Sequence, residues 1–258
     1  MVPRSTYRES RPSPPLDPWI ACFWSQTIAR GAEDFLQRVL PDGCIDIIWF
    51  GSGSPRVVGP ATIPFVERVS PGTTITGVRF RPGAGAAALN VAATELRNLQ
   101  LELAAVVGSA TARQFEAPEL LERTLRNYLV KRPPPDPLAT ALVTALERRL
   151  ADPVHTVVAA AGISDRHARR RFRHAVGYGL KTFQRIARLA GLRAWAAVPD
   201  RRSLSQIACD FGYADQAHLT RETRLLAGMT PAKFIRVAPT IQAISDGRNL
   251  QDSGALAR

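Results

Sequence analysis

Five arginines fall within eight positions of the run Ser164-Asp-Arg-His-Ala-Arg-Arg-Arg-Phe-Arg173, at Arg166, Arg169, Arg170, Arg171 and Arg173. A guanidinium is a planar fork of donors that fits two acceptors at once, on a guanine edge or on a phosphate. If the run is helical, Ala168 and Phe172 point inward and Arg166, Arg169 and Arg170 lie on the outer face. Arg166 and Arg169 are then the candidates for base contact, Arg170 for base or phosphate, and Arg171 and Arg173 for phosphate. A second run, Asp215-Gln-Ala-His-Leu-Thr-Arg221, turns Leu219 inward and Gln216, Ala217, Thr220 and Arg221 outward. Ala217 suits a thymine methyl, and Thr220 and Arg221 can reach base edges or phosphate. His167 and His218 occupy matching places but have no carboxylate or cysteine at ligand spacing, so no metal centre is expected. No nucleophile, base and orienting group converge anywhere, so no catalysis is expected either.

These residues need rigid elements behind them, and the flanking sequence supplies two matching sets. Gly162 and Gly212, 50 residues apart, each mark a turn between a short helical run and a longer one. Ser164 and Asp215 follow, placed as N-caps, with His167 and His218 three positions later. Ser203 with Gln206 makes a capping box before the second turn. Val176-Gly177 and Ala227-Gly228 close the two longer helices. Helices are expected over 138–150, 154–161, 164–175, 181–197 (ended by Pro199), 203–211 and 215–227, and a last short one opens at Thr230-Pro231. The connector over 181–197 would be about 25 Å long at helical rise. It can hold two readers on one face of a duplex.

The stretch from Phe211 to Glu222 resembles the AraC/XylS-type signature, and the resemblance extends from Leu138 to Ala238. It implies a sequence-specific transcription regulator with two recognition helices in successive major grooves, roughly 34 Å apart. By the same resemblance, His167 and His218 approach the DNA backbone or support the turn. Two positions depart from the family pattern: Ala168 stands where leucine is usual and Thr223 where phenylalanine is usual. Both are core positions, so packing behind the recognition helices should loosen by about a few kcal/mol unless neighbours compensate.

Charge agrees with a polyanionic partner. Between residues 138 and 238 there are 17 Lys/Arg against 7 Asp/Glu, a net of +10 out of +12 for the whole chain. The boundary before this segment is Lys131-Arg-Pro-Pro-Pro-Asp-Pro137, where four prolines in seven residues favour an extended spacer. Upstream, the runs 19–28, 35–40, 45–50, 56–59 and 73–80 are rich in aromatic and β-branched residues and separated by Gly and Pro clusters, as strands are. Beyond residue 84 helical signals take over, most clearly the amphipathic run Ala117–Leu129. Leu40-Pro-Asp-Gly-Cys-Ile-Asp46 and Gly77-Val-Arg-Phe-Arg-Pro-Gly83 resemble pieces of a poorly characterised domain that precedes AraC-type readers, which implies a sensory or assembly role for residues 7 to 130.

Within that half, Asp46 on an apolar strand needs a partner, and Arg79 or Arg81 on another strand can supply it. The alternatives are a polar group lining a ligand cavity or, least of all, a catalytic acid. Trp19, Phe23, Trp24, Trp49 and Phe50 are read as core, with a pocket wall as the alternative. Gly83-Ala-Gly85 begins like a phosphate cradle but lacks the rest of the pattern, so it reads as a turn. Cys22, Cys44 and Cys209, odd in number and far apart, are each read as small buried side chains in a reducing cytoplasm. No apolar run is long enough for a membrane span and no secretion signal is visible. The tail from residue 239 is polar and is expected to be disordered.

The expected fold is therefore an α+β N-terminal domain (1–130), a small antiparallel sheet followed by helices, then a linker (131–137) and an all-α domain (138–238) with two helix-turn-helix units joined by a long helix. The expected partner is double-stranded DNA, with RNA polymerase contact, a small-molecule effector or a homodimer contact in the N-terminal half, no cofactor and no membrane. Three rivals have distinct signs. An architectural DNA binder would not distinguish sequences. A DNA-repair enzyme fused to an AraC-type reader would need an activated cysteine and a zinc cluster. A protein-interaction module would not bind DNA.

Overall fold

The computed structural model describes residues 5–30, 35–197 and 202–242. The strands are β1 (Ser5–Ser10), β2 (Ile20–Ile28), β3 (Phe35–Val39), β4 (Ile45–Phe50), β5 (Arg56–Val58), β6 (Phe65–Val69), β7 (Thr74–Phe80) and β8 (Gln100–Glu102). Among and after them come α1 (Gly85–Leu89), α2 (Ala93–Leu96), α3 (Leu103–Val107), α4 (Ser109–Ala112) and α5 (Leu121–Leu129). The helical half contains α6 (Pro137–Arg148), α7 (Val154–Ala160), α8 (Asp165–Val176), α9 (Leu180–Ala196), α10 (Leu204–Asp210), α11 (Gln216–Ala227) and α12 (Pro231–Gln242). The α+β half followed by an all-α half is the class the sequence implies. Residues 243–258, read as a disordered tail, and Pro199 lie outside the described residues.

Six strands form one antiparallel sheet in the order β1-β2-β7-β4-β5-β8, and β3 pairs with β6 separately. Strand alternation sorts the side chains. Ile45, Ile47 and Trp49 of β4, with Val78 and Phe80 of β7, face the helices and share a core with Leu103, Phe115 and Leu125. Ile48 and Phe50, with Ile28 and Ile75, face the other way and meet Phe35 and Val69 of the small sheet. The aromatic residues divide by the same rule. Trp19 and Trp49 are core and Phe23 packs against it, whereas Trp24 and Phe50 line a cavity between the two sheets.

Three strands escape the sequence pattern. β1 reads Ser-Thr-Tyr-Arg-Glu-Ser, β6 carries Glu67 and Arg68, and β8 has only three residues. Pairing with a partner strand holds them rather than their own apolar content. One further expectation is corrected. Cys22 is buried, but Cys44 is only partly so and Cys209 is exposed, on the outward side of α10. Gly83 lies in a turn, as the sequence reads, at φ 87° and with the Ala84 amide donating to the Arg81 carbonyl at 2.9 Å; Gly85 abuts Ile45, and Gly83 lies near Ala139 and Val176 of the helical half.

The two halves pack on each other. Leu40, just after β3, belongs to the helical core with Phe172, Phe183 and Leu189. Helices α1 and α2 lie against α8. Pro137 is the first residue of α6, whose N-cap is Asp136. No helix among the described residues is long and apolar enough to cross a membrane.

Candidate nucleic-acid interface

Each reader begins with a satisfied cap. Ser164 Oγ accepts from the His167 amide at 3.4 Å, and Asp215 Oδ1 accepts from the His218 amide at 2.6 Å. The capping box ahead of the second turn is complete: the Ser203 amide donates to Gln206 Oε1 at 2.8 Å and the Gln206 amide to Ser203 Oγ at 3.3 Å. These bonds hold the first turns of α8, α10 and α11, the turns that must stay rigid if a side chain is to meet a base edge.

On α8, Ala168 and Phe172 are fully buried and Arg166, Arg169, Arg170 and Arg173 are exposed. With His167, His174 and Ser164 they line an open basic groove, and Thr94 of α2 forms its rim. Arg169 is bridged to Asp165 one turn back at 2.5 Å, an exposed pair of little net value that a stronger acceptor can displace. Arg171 departs from the expectation of phosphate contact. It is turned toward Asp136, with Nε on Oδ2 and Nη2 on Oδ1, both at 2.7 Å. One arginine of the five thus braces the recognition helix against the start of α6.

That brace makes a measurable contribution. Partial burial alone would raise the Asp136 carboxyl, but the bonds from Arg171 and from the Ala139 and Leu138 amides outweigh it and hold it below the usual carboxylate range. Asp136→Ala removes a helix cap as well as the brace and should cost about 1–2 kcal/mol in urea unfolding at pH 7. A lowered carboxyl stabilises fully above its unfolded value and loses that effect as pH falls through its folded one. The difference between variant and wild type should therefore shrink below roughly pH 4.

On α11, Gln216, Ala217 and Arg221 are exposed and Thr220 is half-buried. Thr220 Oγ1 donates to its own helix at the Gln216 carbonyl (2.8 Å), and Gln216 Oε1 accepts from Ser205 at 3.2 Å. His218 supports the turn: its Nδ1 accepts from the Ala214 amide at 3.1 Å and its ring stands edge-on to Tyr213. Thr223, the second departure from the family pattern, is fully buried, and its hydroxyl donates to the Leu219 carbonyl at 2.8 Å. That bond offsets the cost of a hydroxyl in the core.

Sequence reasoning missed the charge pair behind this helix. Glu222 is buried and accepts from Arg185 Nε of α9 at 2.5 Å, which ties the connector to the second reader. The signal was present: position 222 falls between Leu219 and Leu226 on the inward side of the helix, where a carboxylate requires a partner. Arg188, one turn along α9, donates to the Leu150 carbonyl at 2.8 Å and lies over the Tyr213 ring.

A second candidate site lies between the two sheets. Its volume is about 100 Å³, with apolar walls from Ile48, Phe50, Ile75 and Phe65. Its polar end holds Asp46 and Arg79, with Nη2 on Oδ2 at 3.0 Å and Nε on Oδ1 at 3.2 Å. Trp24 Nε1 donates to the same carboxylate at 3.1 Å, and Asp42 lies 3.5 Å from Arg79 Nε. Burial opposes the charge on Arg79, but Asp46 and Asp42 outweigh it and hold the guanidinium well above its usual value. Of the two arginines offered by the sequence, Arg79 takes the pairing, while Arg81 donates to the Asp17 carbonyl. Arg193 of α9 also lines the cavity, so the helical half contributes to its wall. Burial pushes the Cys22 and Cys44 thiols up, the opposite of an activated thiolate.

Residues 157–236 match a family model described as a helix-turn-helix domain, and residues 8–102 match a domain of unknown function, DUF6597. The curated proteins contain no match. Among solved structures, ToxT from Vibrio cholerae O395 is 9% identical with a TM-score of 0.46, over 91% of this chain and 97% of that one. ToxT of the same strain bound to (E)-4-(8-methylnaphthalen-1-yl)but-3-enoic acid is 8% identical with a TM-score of 0.46, covering 91% and 98%. Wild-type ToxT of Vibrio cholerae strain SCE256 bound to unsaturated fatty acid is 10% identical with a TM-score of 0.44, covering 90% and 94%.

Proposed function

From the AraC-type helix-turn-helix domain that this chain carries behind its DUF6597 domain, we propose that α8 and α11 enter successive major grooves of one DNA duplex. The protein is a DNA-binding transcription regulator of that type. The observation that carries the two-groove reading is the duplicated capped unit with an exposed polar face, joined by the 17-residue α9. Arg166, Arg169 and Arg170 read base edges, while Arg173 and His167 lie by phosphates. Gln216, Ala217, Thr220 and Arg221 form the second reading face, with Arg224 one turn beyond.

Selection of bound fragments from a random DNA pool at about 150 mM salt tests this reading. Enrichment of two short boxes about ten base pairs apart is expected. Binding without enrichment would favour an architectural protein instead. Arg169→Ala should cost about 1–3 kcal/mol on the selected site and relax preference at one position. Equal loss on selected and random DNA would restrict Arg169 to phosphate.

The regulatory half of the proposal places an effector in the cavity between the sheets. A dry apolar cavity of about 150 Å³ takes benzene, so this one, at about 100 Å³, suits a small, mainly apolar molecule. Its polar group would meet Asp46, Arg79 and Arg193. Trp24 lines the cavity, so binding should change its fluorescence. Action in the cytoplasm, a homodimer contact in the N-terminal half and contact with RNA polymerase belong to the same reading. Sedimentation with and without operator DNA tests the dimer.

A further inference from the structure

We propose that the loop from Gly59 to Phe65 of the N-terminal half is a spacer bar that sets the relative placement of the two recognition helices. It would thereby decide which separation of base boxes the protein accepts. The inference rests on α8 and α11 being the readers and goes beyond that reading by assigning positioning residues outside the DNA-binding domain.

The loop touches the C-terminal ends of both helices. Gly177 caps α8, and a methyl group there would come within 2.7 Å of Pro60 Cγ and 2.9 Å of the Ala93 carbonyl oxygen. Gly228 caps α11, and a methyl group there would come within 2.9 Å of Arg38 Nη1 and 3.7 Å of Pro64 Cγ. Arg38 Nη1 donates to the Ala227 carbonyl at 3.4 Å, where the negative end of the helix dipole favours a cation. The two glycine caps therefore sit against two prolines only four residues apart, at most about 14 Å of chain.

The loop is built to be stiff. Proline fixes φ at both contact points. Asn98 clasps the loop through both its backbone amide and its side chain. Its amide donates to the Pro60 carbonyl at 3.2 Å, its Oδ1 accepts from the Thr62 amide at 2.8 Å, and its Nδ2 donates to Thr62 Oγ1 at 2.9 Å. Asn98 does this at φ 59°, a left-handed conformation that asparagine adopts more readily than most residues. Gly59 is tied as well, its amide donating to the Leu99 carbonyl at 2.9 Å. Within the helical half, α9 and its packing join the two units. The bar is a second tie between the units, at the C-terminal caps of both readers, and two ties restrict relative rotation more than one. Val58, just before the loop, and Phe65, its last residue, both line the cavity, so the bar is continuous with the effector-site wall.

The test uses the full chain and the two-box duplex selected by the wild type. Each base pair inserted or removed between the boxes moves one box by about 3.4 Å and turns it by about 35°, so wild-type affinity should fall by about tenfold or more. Two variants are compared: Pro60→Gly/Pro64→Gly, which loosens the bar, and Arg38→Ala, which removes a single side-chain tie and leaves the loop intact. Both should keep the same box sequences and the affinity for a duplex with one box, while the spacing penalty falls below about threefold. An unchanged spacing penalty in both variants overturns the proposal. So does a loss of one-box affinity equal to the loss on two boxes, because the loop would then only support the folding of a unit. A wild type that selects a single box would instead refute the two-groove reading, and the bar with it.

Discussion

Gly212→Ala should destabilise the protein by at least about 3 kcal/mol and abolish reading by the second unit, whereas Gly162→Ala should cost only about 1–2 kcal/mol. The two glycines hold the same place in the two turns and have similar backbones, φ 73° and 68°. An L-residue at either is strained by about 1–2 kcal/mol in the left-handed region. The second cost differs. A methyl group on Gly212 would lie 2.4 Å from Ala151 Cα and 2.7 Å from the Leu150 carbonyl oxygen, whereas one on Gly162 meets nothing within 4 Å. Backbone cannot rotate away as a side chain can, so α10 and its turn must shift from the end of α6, and α11 shifts with them. Chemical unfolding of the two variants, with binding to the selected duplex, measures both effects. Equal costs at the two positions would mean that the region around Ala151 yields, and that Gly212 is required for its φ alone.

Asp46→Ala should cost about 3–5 kcal/mol, while Asp46→Leu/Arg79→Met should fall within about 1–2 kcal/mol of wild type. The single change takes from the buried Arg79 guanidinium the carboxylate that accepts two of its bonds, and leaves the Trp24 indole N–H without its acceptor. The double change removes both charges of the pair beside the apolar wall of Ile48, Phe50, Phe65 and Ile75, and leaves Arg38, Asp42, Glu67 and Arg193 on the rest of the lining. Thermal unfolding of Asp46→Leu, Arg79→Met and the double variant gives the coupling directly. If the double variant is as stable as wild type, the pair is not there for stability, and its position at the polar end of the cavity points to ligand recognition. In that case the double variant should also lose the Trp24 fluorescence response to an effector. A double variant as unstable as the single would instead make the pair a structural element of the sheet.

Much of the DNA-binding half was legible from the chain because its determinants are local. Ser164, Ser203 and Asp215 cap helices by reaching amides three residues away, and each does so in the fold. The inward positions Ala168, Phe172 and Leu219 follow from helical periodicity alone. The strands with strong β-branched and aromatic content were legible for the same reason. β1, β6 and β8 were not, since their stability resides in neighbours that sequence order does not name.

What the sequence by itself determined is the helices of the DNA-binding half and the apolar strands of the other, the caps at Ser164, Ser203 and Asp215, the duplicated reader and the concentration of positive charge, all set by composition or by interactions within a few residues. What the tertiary structure alone decided is which of the chemically equivalent groups does what. Arg171 looks like its four neighbours but is held by Asp136, 35 positions away. Gly162 and Gly212 look alike, yet only the second is pressed against another backbone. Either Arg79 or Arg81 suited Asp46, and the antiparallel register that places Arg79 directly opposite it made the choice. The loop from Gly59 to Phe65 carries no motif at all. Its contact with both recognition helices exists only because two halves of the chain, more than a hundred residues apart in sequence, close on each other, and long-range packing of that kind leaves no periodicity to read.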